Sequence, residues 1–337
     1  MGSVGLSHQR GVALITVLLV LVIAVAAVSQ AIVRNRIAVS RTAALLANTQ
    51  LAEFVGGAEA WARVALERDY EEDREQSPSS DSMQEGWAGP ALSFNPENGR
   101  IRINIQDLHS CFNVNNLAGP GAGQADQAQI FQRLVVNVTG KPELAKAILD
   151  WLDPGDTPLA PGTEDDGYLG LEMAHRTPDT LISDVSELAA VQGMEGEDWQ
   201  ALRPYLCALP AEGTAINVNF ASEALLEAVD PQARVEDVMS FRDSEGVFNE
   251  QAQLQDFGFQ QTQALAFHSQ YFLARIAVQL GEGEEYRQYW ESMIYLDEAK
   301  GEAKVMQRHR RNFDIAYMRE LLSFEAEGPD NSDNNAN

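Results

Sequence analysis

Between Val12 and Val33 the chain is almost wholly apolar, broken only by Thr16, Ser29 and Gln30. A helix of that length rises roughly 30 Å, enough to cross the hydrocarbon core of a bilayer. Beyond the run, Val39, Ala43, Leu46, Leu51, Phe54, Ala58 and Trp61 keep a helical rhythm. One helix is predicted from Val12 to about Arg68. Residues 71–99 are polar and turn-rich and read as a linker. Residues 100–107 then alternate charged or polar with apolar side chains, a strand with one buried face. That alternation returns only late, over 270–279 and 286–297, with 303–309 as a third candidate. The block from Cys111 to about Phe267 is mainly helical in pattern. A strand early, strands late and helices between predict an α+β chain whose small sheet carries a large insertion. The end, rich in Asn, Asp and Gly after Glu325, is expected to be disordered.

The helical block contains an internal echo. Phe112-Asn113-Val114-Asn115 matches Ile216-Asn217-Val218-Asn219. Each is followed by a helix (130–136; 223–229), a turn, and a second helix ending in an acid (144–153; 235–243). Two related helix-turn-helix units are predicted. The second, 217–248, is similar to the helix-hairpin-helix modules of DNA-uptake and repair proteins. In such modules a glycine-bearing hairpin offers backbone N–H groups to phosphate. Here the hairpin reads Val229-Asp230-Pro231-Gln232-Ala233, with no glycine, an added acid and a proline that removes a donor. The pattern of the fold is present without its phosphate grip, which predicts a structural or protein-contact role.

Charge points the same way. With 50 acidic against 24 basic residues and a formal charge of −26, the chain is poor in the Lys and Arg that phosphate contacts require. No nucleic-acid partner is expected. The stretch from Asp150 to Asp198 is dense in carboxylates and holds a single arginine, Arg176. It includes Asp150-Trp151-Leu152-Asp153-Pro154-Gly155-Asp156 and then Gly162-Thr163-Glu164-Asp165-Asp166-Gly167-Tyr168. Calcium takes several oxygen ligands from turn-rich acidic loops of this kind. The spacing is not that of an EF-hand, and zinc would lack nearby Cys or His ligands apart from His175. A solvated acidic loop is the plain alternative. No G-x-S-x-G or H-E-x-x-H motif occurs, and the five histidines are scattered, so no enzyme is expected.

The apolar run admits a Sec signal cut after Ala24-Val25-Ala26, a plain anchor, or a leader cut on its cytoplasmic side. Gln9-Arg10-Gly11 followed by Val12-Ala13-Leu14-Ile15-Thr16 resembles the third, the prepilin leader. In prepilins the peptidase cuts after the glycine and methylates the new N-terminus, here Val12. Arg34, Arg36 and Arg41 follow the span while Arg10 precedes it, against the positive-inside rule. Pilin helices continue past the membrane, which accommodates them. Pilins and major pseudopilins carry Glu at the fifth mature position, where it is thought to neutralise a neighbour's terminal ammonium. This chain has Thr16 there. That departure is characteristic of the K-type minor pseudopilins of bacterial type II secretion systems. Trp151-Leu152-Asp153 with Asp156, then Gly162, Glu164-Asp165-Asp166 and Tyr168, is similar to that family's W-[IL]-D-x-D…G-x-E-D-x-Y segment. Residues 112–117, 183–188 and 208–210 and the second echo also resemble family segments.

This resemblance implies a pilin-like fold, a long N-terminal helix plus a small antiparallel sheet, with a large mainly α-helical insertion containing helix-hairpin-helix-like units. The implied division is a leader over 1–11, a transmembrane half-helix over 12–33, and a periplasmic helix half, loop and first strand over 34–110. The inserted domain follows over 111–267, the last strands over 268–325 and the disordered tail over 326–337. Calcium would be held by a subset of Asp153, Asp156, Glu164, Asp165 and Asp166. Because Gly155 lengthens the first half of the motif, the choice between Asp153 and Asp156 stays open. The implied role is to form the pseudopilus tip with I- and J-type minor pseudopilins and to initiate pseudopilus assembly for export of folded proteins across the outer membrane. Other pseudopilins, the inner-membrane secretion platform and prepilin peptidase would be further partners. The chain would cross the inner membrane once, with its bulk in the periplasm and lateral helix contacts through residues 39–61. In that compartment Cys111 and Cys207 could be bridged, with two free thiols as the alternative. A minor pilin of a type IV pilus or DNA-uptake machine is the main rival, and a secreted calcium-binding protein a more distant one.

Overall fold

The structure is a computed structural model that describes residues 9–75, 78–118, 124–153, 165–171, 174–244, 246–281, 286–311 and 322. The expected leader, apart from residues 9–11, and the expected disordered tail lie outside the described residues.

Helix α1 (Gln9–Arg74) runs unbroken for 66 residues, several past the expected end near Arg68. Its two halves differ in burial. From Leu14 to Leu46 its large apolar side chains are exposed. From Ala47 onward one stripe is buried: Ala47, Leu51, Val55, Ala58, Ala62 and Leu66, at helical spacings of three and four. That stripe lies on a five-stranded antiparallel sheet. Its strands are β1 (Leu92–Phe94), β2 (Gly99–Asp107), β7 (Tyr271–Leu280), β8 (Arg287–Asp297) and β9 (Glu302–Arg311), and their order in the sheet is β1-β2-β7-β8-β9. Ile101, Ile103 and Ile105 of β2, Ala274, Ile276 and Val278 of β7 and Ile294 of β8 complete this core. Gly99 opens β2 beneath the helix, where a Cβ would lie 2.2 Å from the Phe54 ring. Leu51, Phe54, Ala58 and Trp61 therefore serve the subunit's own core, while Ala52, Glu53, Gly56, Gly57 and Ala60 on the other face of α1 stay exposed.

One charged group is buried in this interface. Glu59, 3 % exposed on α1, accepts from the Ser292 hydroxyl of β8 (2.6 Å) and from Arg308 Nε of β9 (2.6 Å). Arg308 binds both carboxylate oxygens, the bidentate geometry that gives a charged pair direction as well as attraction. The contact fixes the rotation of α1 on the sheet, because only one face of the helix can present Glu59 to both strands.

Strands β2 and β7 are sheet neighbours, with Asp107 opposite Phe272, yet the whole inserted domain lies between them in sequence. The insertion confirms the echo in three dimensions. In the first unit β3 (Phe112–Asn113) pairs in parallel with β4 (Leu206–Cys207); in the second, β5 (Ile216–Asn217) pairs in parallel with β6 (Leu265–Ala266). Matching asparagines play matching roles. The Asn115 amide accepts from Ile182 N and donates to Ile182 O, and the Asn219 amide does the same to Phe248. Both are buried, so each amide replaces a strand neighbour for a segment that has none. Helices α2 (Gln124–Thr139) and α3 (Pro142–Leu152) follow the first motif. After α4 (Asp165–Leu169) and α5 (Gly196–Leu202), helices α6 (Glu223–Val229) and α7 (Val235–Asp243) follow the second, with α8 (Gln251–Asp256) behind them. One continuous core unites the two units, including Phe131 and Leu134 of α2 with Leu225 and Leu226 of α6.

The neck between sheet and insertion is covalently closed. Cys111 and Cys207 form a disulfide across 96 residues, with Cα atoms 5.8 Å apart. A loop of that length corresponds to about 4–5 kcal/mol in the chain-entropy account. His109 sits beside it, and burial pulls its pKa down, keeping it neutral. Its Nε2 accepts from Gln270 N, which leaves Nδ1 to donate to Ala215 O at 2.8 Å.

Candidate functional site

Three regions of the molecule could carry function: the bare half of α1, the acidic loop of the insertion, and the seam where α1 ends against the insertion.

The bare half of α1 belongs to a helix long and apolar enough to cross a membrane, with a mean hydropathy of 2.7 over its most apolar window and none of that window buried. Gly11 and Val12 lie within α1. Thr16 donates its hydroxyl to Ala13 O (2.9 Å). Backbone satisfaction of that kind suits an apolar surrounding, where an unpaired polar group is costly.

In the acidic loop the structure places only part of the expected ligand set. Asp156 and Glu164 lie outside the described residues, and Asp166 is described only as a helical position in α4. Asp153 caps the C-terminus of α3 through its backbone N–H to Leu149 O and is half-buried. Asp165 begins α4, with Oδ1 accepting from the N–H and hydroxyl of Thr177 and Oδ2 paired with Arg176. Desolvation pulls the Asp165 pKa upward, but the Thr177 donors and the Arg176 charge outweigh it and hold the carboxyl below its ordinary value. The lone arginine of the acidic stretch is thus a partner of one candidate ligand. The aromatic ends of the motif are structural: Tyr168 is fully buried edge-on to Trp151, 5.0 Å between centroids, and its Oη accepts from Gln192 N. Trp151 and Tyr168 thus pin both ends of the loop to the core of the insertion.

The helix-hairpin-helix-like unit resolves the question posed by its hairpin. Asp230 accepts from Gln232 N, Gln260 N and Gln261 N, while Arg133 donates to the Ala228 and Val229 carbonyls. Desolvation raises the Asp230 pKa, yet these three N–H donors prevail and lower it. An internal carboxylate occupies N–H groups of the kind a phosphate would need.

The seam is the region that sequence reasoning missed. Residues 78–90, read as linker, pack between α1 and the insertion: Trp87 is 5 % exposed, and its Nε1 donates to Asp69 Oδ2 (2.8 Å). Asp69 and Asp73 of α1 converge there with Asp81, Glu85 and His268. Burial first, then contact with Glu85, pushes the Asp69 pKa up to about 8. Burial and the charges of Asp81 and Asp69 push Asp73 up to about 6. Asp107, fully buried at the end of β2, is raised to about 7, chiefly by desolvation. No periodic signal could have joined Asp73 to His268, since the fold alone brings them together.

These features define a class: a pilin-like protein in which a long, half-bare N-terminal helix packs on an antiparallel sheet, and the sheet carries a two-unit helical insertion. The comparisons with known proteins then give the family. The family model described as "Type II secretion system (T2SS), protein K" matches residues 110–211. The Klebsiella pneumoniae type II secretion system protein K is 32% identical over 295 residues, covering 81% of this chain and 89% of that one. Its Pseudomonas aeruginosa counterpart is 33% identical over 248 residues, covering 71% of this chain and 74% of the relative. The chain belongs to the type II secretion system protein K family. Among solved structures, a chain of the GspK-GspI-GspJ complex from enterotoxigenic Escherichia coli superposes with a TM-score of 0.64 at 21% identity. That match covers 81% of this chain and all of that one, and it shows the shared fold.

The raised carboxyls at the seam imply a pH dependence with a defined sign. A carboxyl whose folded pKa exceeds its unfolded value favours folding while protonated, and that stability is lost as pH rises through the folded pKa. For Asp69 the window runs from about pH 4 to about pH 8. Asp69→Asn keeps a side-chain oxygen for Trp87 while removing the charge. The urea midpoint of the variant is expected to exceed that of the wild type clearly at pH 8, by less at pH 5, and to match it only below about pH 4. Equal midpoints at pH 8 would contradict the raised Asp69.

Proposed function

We propose that this protein is a minor pseudopilin of the K type. It would form the tip of the pseudopilus with I- and J-type minor pseudopilins and initiate assembly of the filament that exports folded proteins across the outer membrane. The observation that carries the reading is the division of α1. Its apolar half is bare up to Leu46, and its second half is locked to the subunit's own sheet by Glu59 and the buried stripe. A helix so divided is stored in the membrane and then packed against other helices, without unfolding the head. The leader would be removed between Gly11 and Val12 by prepilin peptidase, leaving the anchor in the inner membrane and the head in the periplasm. Disulfide formation between Cys111 and Cys207 supports an oxidising compartment.

Thr16 supports a place at the tip, where no preceding subunit needs its terminal ammonium neutralised. The inserted domain, grown from one end of the sheet, is bulky enough to leave little room for a further subunit. Its role is structural and carries no catalysis. The rival reading as a DNA-uptake pilin loses its main support, because Asp230 occupies the Gln232 N–H of the hairpin and the N–H groups of Gln260 and Gln261 beside it. Co-expression of the full-length tagged chain with the I- and J-type pseudopilins of the same secretion system tests the role. A detergent-stable complex containing all three is expected, and recovery of this chain alone would overturn the tip assignment.

Calcium in the acidic loop is part of the same proposal. Asp153, Asp156, Glu164 and Asp166 would supply carboxylate oxygens, with Asp165 available once Arg176 is displaced. The observations that support it are the fixed loop ends at Trp151 and Tyr168 and the carboxylate density between them. Calcium at about a hundred times its Kd adds roughly 2.7 kcal/mol to a protein that binds it only when folded. For a domain of this size that is a rise of about 5–10 °C in Tm. Chelator-treated protein is expected to show that rise on adding calcium, and the double variant Asp153→Asn with Glu164→Gln to lose most of it. An unchanged Tm would remove calcium from the loop.

A further inference from the structure

The seam between α1 and the insertion contains a set of side chains to which neither the family nor the acidic loop gives a role. Asp73 stands in the last turn of α1, Asp81 in the segment that follows, and His268 just before β7. One ligand atom from each lies within 4.8 Å of the other two. His268 Nδ1 is 3.9 Å from Asp73 Oδ2 and 3.9 Å from Asp81 Oδ1, within ion-pair range and longer than a hydrogen bond. The three groups line a cavity of about 190 Å³ that also reaches Asp69, Ser79 and Ser269.

Two further observations point to a ligand there. Asp73, with its side chain 12 % exposed, lines the cavity, and among the described residues its carboxylate meets no hydrogen-bond donor, only the His268 ring at 3.9 Å. Buried carboxylates are ordinarily paired or coordinate a metal. Asp81, in contrast, is held in place from every side. Its Oδ2 accepts from Ser269 N (2.5 Å), its N–H donates to Phe267 O (2.8 Å), and its carbonyl accepts from the buried amides of Asn217 and Asn219. One carboxylate is thus preorganised by the insertion, and the other is presented by α1 with only the His268 imidazole facing it at 3.9 Å. Arg74 at the rim of the cavity lies over the Tyr70 ring and forms no ion pair with Asp73 or Asp81.

We propose that Asp73, Asp81 and His268 bind a divalent cation of the zinc, cobalt or manganese class, clamping the end of α1 to the insertion. The donor set decides the class. An imidazole with two carboxylates suits first-row transition ions, whereas calcium takes oxygen ligands. His268 is half-exposed and gives the ion its way in, while the two buried carboxylates fix where it stops. Remaining positions would be filled by water in the cavity. Glu298 adds its charge to those of Asp81 and Asp73 around the imidazole, a negative surrounding that suits a divalent cation. This site is independent of calcium in the acidic loop and of the secretion role.

The test is titration of the full chain in detergent, stripped of metal with chelator, with Co2+ at pH 7.5 in the presence of millimolar calcium. Calcium saturates oxygen-only sites and leaves the imidazole site to report. Expected are one equivalent of bound Co2+ with visible ligand-field absorption, and competition by Zn2+. His268→Gln and Asp73→Asn are each expected to weaken binding at least about tenfold, a loss that even removal of an outer-shell partner causes. Far-ultraviolet circular dichroism of each variant checks that it is folded, and either one suffices if the other is not. Absence of stoichiometric Co2+ binding, or binding equally tight in both folded variants, would overturn the proposal.

Discussion

Everything beyond the sheet depends on one topological constraint: the inserted domain leaves from the end of β2 and returns at the start of β7, and these strands are hydrogen-bonded neighbours. A domain attached where a hairpin turn would stand hangs from two adjacent chain crossings and would swing freely if nothing else held it. The neck removes that freedom. The Cys111–Cys207 bridge, the neutral His109 between Gln270 and Ala215, and the apolar contacts of Leu108, Leu209 and Tyr271 join the two crossings to the first unit of the insertion. Asp81 performs the same service for the second unit through Asn217 and Asn219. The head is therefore tied to the sheet at both chain crossings and, through Asp81, to the segment that follows α1.

The two halves of α1 meet opposite demands in one continuous helix. The first half has to be soluble in lipid and later in a bundle of helices, so it keeps its apolar side chains on all faces. The second half has to hold the sheet, so its apolar residues narrow to the stripe from Ala47 to Leu66, with Arg63 donating to Ala303 O of β9 and Arg68 and Glu72 paired on the exposed side. A buried charge at Glu59 contributes little net stability compared with an apolar pair, but it penalises any other helix rotation by leaving a carboxylate unpaired. Orientation of the anchor relative to the head is what such a contact secures.

Much of this was legible in sequence because period carries it. The alternation in β2, β7, β8 and β9 and the rhythm of α1 located the sheet and its helix, and the echo of Phe112-Asn113-Val114-Asn115 in Ile216-Asn217-Val218-Asn219 located the two units. The asparagines echo because each has to satisfy a distant backbone segment, Ile182 in one case and Phe248 in the other. What period could not show was partnership across the fold. The rhythm through Phe54 and Trp61 gave no sign that the partner was the subunit's own sheet and not a neighbouring helix. Residues 78–90 looked like a linker because their anchors, Asp69, Asn217 and His268, come from three remote places in the chain. In the acidic loop, composition marked the carboxylates, but only the fold revealed that Arg176 and Thr177 already engage Asp165.

The account rests on α1 being a pilin-type anchor whose mature form begins within the helix. The most direct measurement is the intact mass and N-terminal sequence of the protein purified from membranes of a strain that carries its secretion system. A chain beginning at N-methylated Val12 is the predicted result. A chain beginning at Ala27, or one that still carries Met1, would contradict it and leave the bare half of α1 as an ordinary signal or anchor.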